Sequence, residues 1–195
     1  MADLLLSRGD ALVIVDVQRD FLPGGALAVP GGNEIIPILN LYIQAFAQRS
    51  LPVWISQDCH PPHHCSFIPE GGSWPPHCIA GTPGSQSPSD LKLPPEALLI
   101  LKGQQKNQDA YSAFQGTALA QQLQARQVET LFVGGLATDY CVLNTVQDAI
   151  KLGFRVLLLT DAIRAVNRTP EDGDRAEAAM IEQGAIPITY LDIDP

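Results

Sequence analysis

Apolar residues recur along this chain in short, dense runs. ALVIVDV (11–17), PVWISQD (52–58), ALLILK (97–102), TLFVGG (130–135), RVLLLT (155–160) and AIPITYL (185–191) are rich in Val, Ile and Leu and lack polar alternation. Runs of this kind fit strands buried on both faces of a parallel sheet. Between most of them lie amphipathic stretches of helical length, at 33–49, 117–127, 139–153 and 170–184. Several end in glycine, as helices often do. Strand alternating with helix predicts a three-layer α/β/α fold around a central six-stranded, mainly parallel sheet of Rossmann-like topology. No internal repeat or low-complexity linker divides the 195 residues, so they read as one domain, 1–195.

One connection departs from the short-loop pattern. Residues 59–95 hold many prolines, several glycines and little periodicity. A stretch this long inside a compact domain is usually functional or disordered. All four histidines of the chain, His60, His63, His64 and His77, fall within it. This predicts a metal-binding loop insertion at about 58–95. Asp58 closes a predicted strand, and in extended backbone Asp58 and His60 share a side while Cys59 faces the other. Pro61-Pro62 then bends the chain, which can return His63 or His64 to that side; spacing does not choose between them. His77, in SWPPHC, can supply a fourth donor. One carboxylate and three imidazoles suit a divalent zinc, iron or manganese ion. Cys59, Cys65 and Cys78 compete as ligands, but each adjoins a proposed ligand and so points away in extended backbone. Surface histidines without a metal are the bland alternative, which the clustering of every histidine in one loop weakens.

A second constellation stands at the strand ends. Ligands of open α/β sheets bind beyond the carboxyl ends of the strands. Asp16, Asp58 and Lys102 end the first three predicted strands, and Cys141 follows the fourth in GGLATDYC. A helix is expected to begin near Thr138 or Asp139, with Cys141 in its first turn. The helix dipole and a nearby lysine favour thiolate there. A carboxylate can take the thiol proton and later protonate a leaving group. Backbone N–H groups of the ATDYC turn can face an oxyanion. An Asp, Lys and Cys set of this kind predicts acyl transfer without any histidine. Singly, Asp16 could cap a turn, Lys102 could be a solvated strand end and Cys141 a small buried hydrophobe; the set carries the prediction. GGALAVPGG (24–32) matches neither phosphate-binding glycine pattern and reads as turns.

The formal net charge of −9 argues against nucleic acid and anionic membranes as partners. A homo-oligomer stays open. The first residues show no basic segment followed by a long apolar core, and no apolar run reaches membrane-spanning length. A cytoplasmic protein is expected, whose four cysteines are free thiols, ligands or a nucleophile.

VIVDVQRDFLPGGALAVPGG, DCHPPHHCSF, SWPPHC, LKG, DAYSAF and GGLATDYCV, in this order, resemble the nicotinamidases of the isochorismatase-like (cysteine hydrolase) superfamily. The resemblance runs from about residue 11 to 160, and the metal-loop motifs are its specific part. It implies hydrolysis of nicotinamide to nicotinate and ammonia, in NAD salvage, with pyrazinamide as a second substrate. It implies a catalytic triad of Asp16, Lys102 and Cys141, and metal ligation by Asp58, His60, His64 and His77. His64 is favoured because it precedes C-S-F. A cis peptide maps to Leu136–Ala137, and the N–H groups of Ala137 and Cys141 map to the oxyanion hole. Phe21, Trp74 and Tyr111 map to the substrate walls, and Tyr140 stands where some members have histidine. Rival expectations are another amidase of the superfamily, a zinc hydrolase in which Cys141 is dispensable, and a non-catalytic metal-binding module.

Overall fold

The computed structural model describes residues 4–194. The six apolar runs become six strands: β2 (Asp10–Val15), β3 (Val53–Asp58), β4 (Leu98–Lys102), β5 (Thr130–Leu136), β6 (Arg155–Arg164) and β7 (Ile186–Ile188). They form one sheet in the order β4-β3-β2-β5-β6-β7, and every pairing in it is parallel. A separate two-stranded ribbon pairs β1 (Leu4–Leu5) with β8 (Ile193–Asp194). Four α-helices cover the sheet: α1 (Ile35–Gln48), α2 (Leu119–Ala125), α3 (Leu143–Lys151) and α4 (Asp172–Glu182). None of the helices is long and apolar enough to cross a membrane.

Strand periodicity sorts the core into two layers. In β2 every residue is buried. Leu12 and Ile14 pack with Ile35, Leu39 and Phe46 of α1 on one face. Ala11, Val13 and Val15 pack with Leu119 of α2, Val146 of α3 and Met180 of α4 on the other. A central parallel strand must feed both layers, which is why its sequence shows no polar alternation.

Two segments depart from the expected boundaries. The run at 185–191 stops pairing after Ile188, because the Thr189 and Asp192 side chains cap a short helical turn, Tyr190–Asp192, reciprocally. In the fourth strand, Gly135 has φ +126° and sits where any Cβ would overlap the Val15 backbone. The register against β6 shifts at that point. On its other side β5 pairs with β2, and between these two the strand order reverses direction. Such a reversal leaves a crevice outside the sheet edge.

The α1 layer is tied to the sheet by Phe46 and Phe132, both fully buried, with ring centroids 5.0 Å apart in an edge-to-face contact. Phe46→Ala is expected to destabilise the fold by about 3–5 kcal/mol. Urea unfolding should show a lowered midpoint with an unchanged slope.

Candidate active site

The crevice collects the chemistry expected at the strand ends. Asp58 and Lys102 close β3 and β4 and are paired in register. Asp16 lies one residue beyond β2, with φ +49°. That left-handed angle is uncommon for residues other than glycine and is best tolerated by Asn and Asp. The Lys102 ammonium is the meeting point. Its Nζ lies 2.8 Å from Asp16 Oδ2, 2.5 Å from Asp58 Oδ1, 3.0 Å from the Ala110 carbonyl oxygen and 3.5 Å from Cys141 Sγ. Burial works against its charge, but Asp16 and Asp58 outweigh burial and hold its pKa well above the usual value.

The two carboxylates are not equivalent. Asp58 is driven well below the ordinary carboxylate range: burial opposes this, but Lys102 and His60 prevail. Asp16 is pushed up, first by burial and then by the Asp58 charge, against the pull of Lys102. Its Oδ1 accepts the Ser56 hydroxyl at 2.6 Å. Its Oδ2 has the lysine charge but no well-aligned hydrogen bond within the resting structure. Asp16 is therefore the carboxylate suited to accept a proton.

The thiol differs from the sequence-based expectation. Burial pushes the Cys141 pKa well above that of a free cysteine; Lys102 lowers it, but Asp16 and Asp58 add to the rise. The local helix begins at Thr138 and includes Cys141, as expected, but its first turn is not α-helical. Thr138–Val142 forms a wide turn in which the Val142 N–H reaches back to the Ala137 carbonyl (3.1 Å), an acceptor shared with the Tyr140 N–H (3.1 Å). Regular α3 begins only at Leu143. The peptide between Leu136 and Ala137 is cis, as the resemblance implied. Ala137 and Cys141 both face one cavity, whose walls include Phe21, Trp74, Tyr111 and Tyr140. The Trp74 indole N–H donates to the Tyr111 hydroxyl (3.0 Å), and Tyr140 stands edge-on to Trp74 with centroids 5.0 Å apart.

The metal-ligand set meets on the far side of Asp58. Asp58, His60 and His77 each offer a donor atom within 4.8 Å of the others, and all three are buried. His60 Nδ1 is bonded to the Gly103 carbonyl (3.0 Å) and His77 Nδ1 to the Pro75 carbonyl (2.7 Å). A carbonyl only accepts, so each Nδ1 carries the proton and each Nε2 is left as a ligand. These donors fit a divalent ion. His64 is buried and stacks on His60 with centroids 4.1 Å apart. Its Nδ1 meets Ser66 Oγ (2.7 Å) and its Nε2 the Gln108 carbonyl (3.1 Å), so it stands beside the trio and not within it. His63 is exposed and pairs with Glu70 (2.8 Å). Of the two neighbouring histidines, His64 is the one turned inward. Cys59, Cys65 and Cys78 are free and join no such group among the described residues.

Comparison with known proteins follows this geometry. The model of the isochorismatase domain matches residues 10–190. The chain belongs to the isochorismatase family. Nicotinamidase from Escherichia coli (strain K12) is 38% identical over 203 residues, spanning 93% of this chain and 95% of that protein. The structure of Pyrococcus horikoshii pyrazinamidase in complex with zinc superimposes with a TM-score of 0.90 at 42% identity, covering 93% of this chain and 99% of that one. PnC1 from L. infantum in complex with nicotinate gives a TM-score of 0.90 at 34% identity, covering 100% and 99%.

This isochorismatase-family site has supports that the motifs did not disclose. Gln18 is fully buried and clamps the Asp58 backbone: its Oε1 accepts the Asp58 N–H (2.8 Å) and its Nε2 donates to the Asp58 and Ser85 carbonyls (2.8 Å each). Asp20 accepts the Cys78 N–H (2.7 Å) and so fixes the segment after His77. Asp139 accepts the N–H groups of Val166 and Asn167 (2.9 Å each), tying the Cys141 turn to the segment after β6. The only signal for them is position, since each is a polar residue close in sequence to a strand end or to the nucleophile.

Gly103 packs against His60 with φ +65°, and a Cβ there would lie 2.5 Å from His60 Cε1. Gly103→Ala is expected to push the His60 ring out of the ligand group. Metal analysis of the purified variant should show reduced divalent-ion content at fixed protein concentration.

Proposed function

We propose that this chain is a nicotinamidase, hydrolysing nicotinamide to nicotinate and ammonia in NAD salvage, with pyrazinamide as a second substrate. The observation that carries this reading is the buried Lys102 ammonium, which holds Asp16 and Cys141 together and shares Asp58 with the histidine group. The relatives named nicotinamidase and pyrazinamidase, and the structures holding zinc or nicotinate, support the substrate class. The net charge of −9 supports a small-molecule substrate over nucleic acid, and a cytoplasmic location is part of the same reading. Residues 1–195 act as one catalytic domain, with the segment at about 58–95 as the insertion that bears the ligands.

Asp16 takes the Cys141 thiol proton as Sγ attacks the carboxamide carbon. Lys102 makes this transfer feasible in a buried place, because its positive charge faces the thiolate as it forms. The N–H groups of Ala137 and Cys141 receive the developing oxyanion. Asp16 then returns the proton to the amide nitrogen, the C–N bond breaks and ammonia leaves a thioester on Cys141. Water enters; Asp16 takes its proton, the water oxygen attacks the thioester carbon and the C–S bond breaks. Asp16 passes the proton to sulfur, and the acid product departs. The raised pKa of Asp16 suits a group that must both take and give a proton. Asp58, His60 and His77, with His64 adjacent, would hold a divalent ion, zinc first among the candidates, which when bound orients the ring through its pyridine nitrogen. Phe21, Trp74, Tyr111 and Tyr140 supply stacking and edge contacts to the ring.

Ammonia release from nicotinamide tests this directly. Cys141→Ala is expected to lower turnover by more than about 10³-fold while nicotinamide still binds, as measured by calorimetry. Chelator treatment should lower turnover of the parent protein, and zinc should restore it. Substantial turnover by the folded Cys141→Ala protein would remove the covalent mechanism.

A further inference from the structure

The Trp74 wall of the cavity has a partner that belongs to no motif. The Arg168 guanidinium carbon lies 5.1 Å from the centroid of the Trp74 ring. Trp74 lines the cavity, and Arg168 is not among the lining residues. In a chain with 21 acidic and 12 basic residues, carboxylates are the abundant partners for an arginine. Arg168 nonetheless makes no ion pair within 4 Å among the described residues and rests on an aromatic face.

The segment that carries it is held firmly. Asp139 accepts the N–H groups of Val166 and Asn167. Asn167 takes a left-handed angle (φ +53°), and its side-chain oxygen accepts the Gly173 N–H (2.8 Å) at the start of α4. Val166, from the same segment, lines the same cavity as Ser66, Trp74 and His77 of the metal loop. Two stretches far apart in sequence thus meet at the Arg168–Trp74 contact: the loop bearing His77 and the segment anchored to the Cys141 turn. Trp74 is otherwise fixed at one edge by Tyr111 and flanked by Tyr140.

We propose that Arg168 is a positioning residue for ring recognition: its guanidinium clasps Trp74 in the orientation that closes the cavity over the substrate ring. This deepens the nicotinamidase reading and rests on it for the identity of the ring. Arg168 does not touch the reacting atoms, so its effect falls on binding and leaves the chemical step alone. An exposed cation–π contact changes an equilibrium by about two- to five-fold, which sets the size of the effect.

The experiment compares Arg168→Ala and Arg168→Lys with the parent protein. With nicotinamide, Arg168→Ala is expected to raise KM by about two- to five-fold with kcat nearly unchanged. Arg168→Lys, which keeps a cation over the ring, should recover most of the loss. A second readout needs no turnover. The chain has two tryptophans, Trp54 fully buried in the core and Trp74 at the cavity, so acrylamide quenching of fluorescence reports chiefly on Trp74. Arg168→Ala should increase quenching, and Arg168→Lys should not. Unchanged KM and unchanged quenching in Arg168→Ala would overturn the clasp, as would equal losses in the Ala and Lys variants or a loss confined to kcat. If the parent protein shows no turnover of nicotinamide, the substrate reading fails by itself, and the quenching comparison still decides whether Arg168 holds Trp74.

Discussion

An ammonium group with no access to water must find its counter-charges in the protein, and the carboxyl edge of this sheet is arranged around that requirement. Lys102 meets Asp16, Asp58 and the Ala110 carbonyl, and among the described residues no other Lys or Arg is buried. Removing one partner of such a buried group leaves an uncompensated charge, which costs more than the pair itself contributes. Each carboxylate therefore has to be held in place. Ser56 holds Asp16, and Gln18 grips the backbone of Asp58 from both sides. Parallel strand pairing supplies the rest, because Asp58 and Lys102 are neighbours in register before any side chain is placed.

The same requirement bears on Cys141. A helix terminus and a lysine favour thiolate when Cys141 is considered with those two alone. Burial, and then the two carboxylates, push its pKa the other way. Asp16, beside the same ammonium, has one oxygen free of well-aligned hydrogen bonds.

The strands and the polar residues gathered at their carboxyl ends were legible in the sequence because both depend on identity at fixed positions. Buried parallel strands must be apolar throughout, and Asp16, Asp58 and Lys102 mark where burial against helices gives way to the crevice. The parts that were not legible depend on backbone geometry. His63 and His64 differ by one position after Pro61-Pro62, so spacing left the choice open and only the family resemblance favoured His64; the turn sends it inward and His63 to Glu70. The apolar run at 185–191 reads as strand to its end, yet a reciprocal cap between Thr189 and Asp192 breaks it. Gln18, Asp20 and Asp139 bond to backbone groups, and a backbone partner leaves no mark in the sequence. Arg168 meets Trp74 across 94 positions of chain, a contact without any local pattern.

Asp58 presents one oxygen to Lys102 at 2.5 Å and the other toward His60 Nε2 at 3.6 Å. A single side chain is thus held in common by the half of the site that contains Lys102 and Cys141 and the half that gathers the imidazoles. Thermodynamic reciprocity follows: whatever free energy occupancy of one half adds to or takes from the other must be returned in equal measure. Paired substitutions, one in each half, should therefore depart from additivity, as neighbouring groups in one network do.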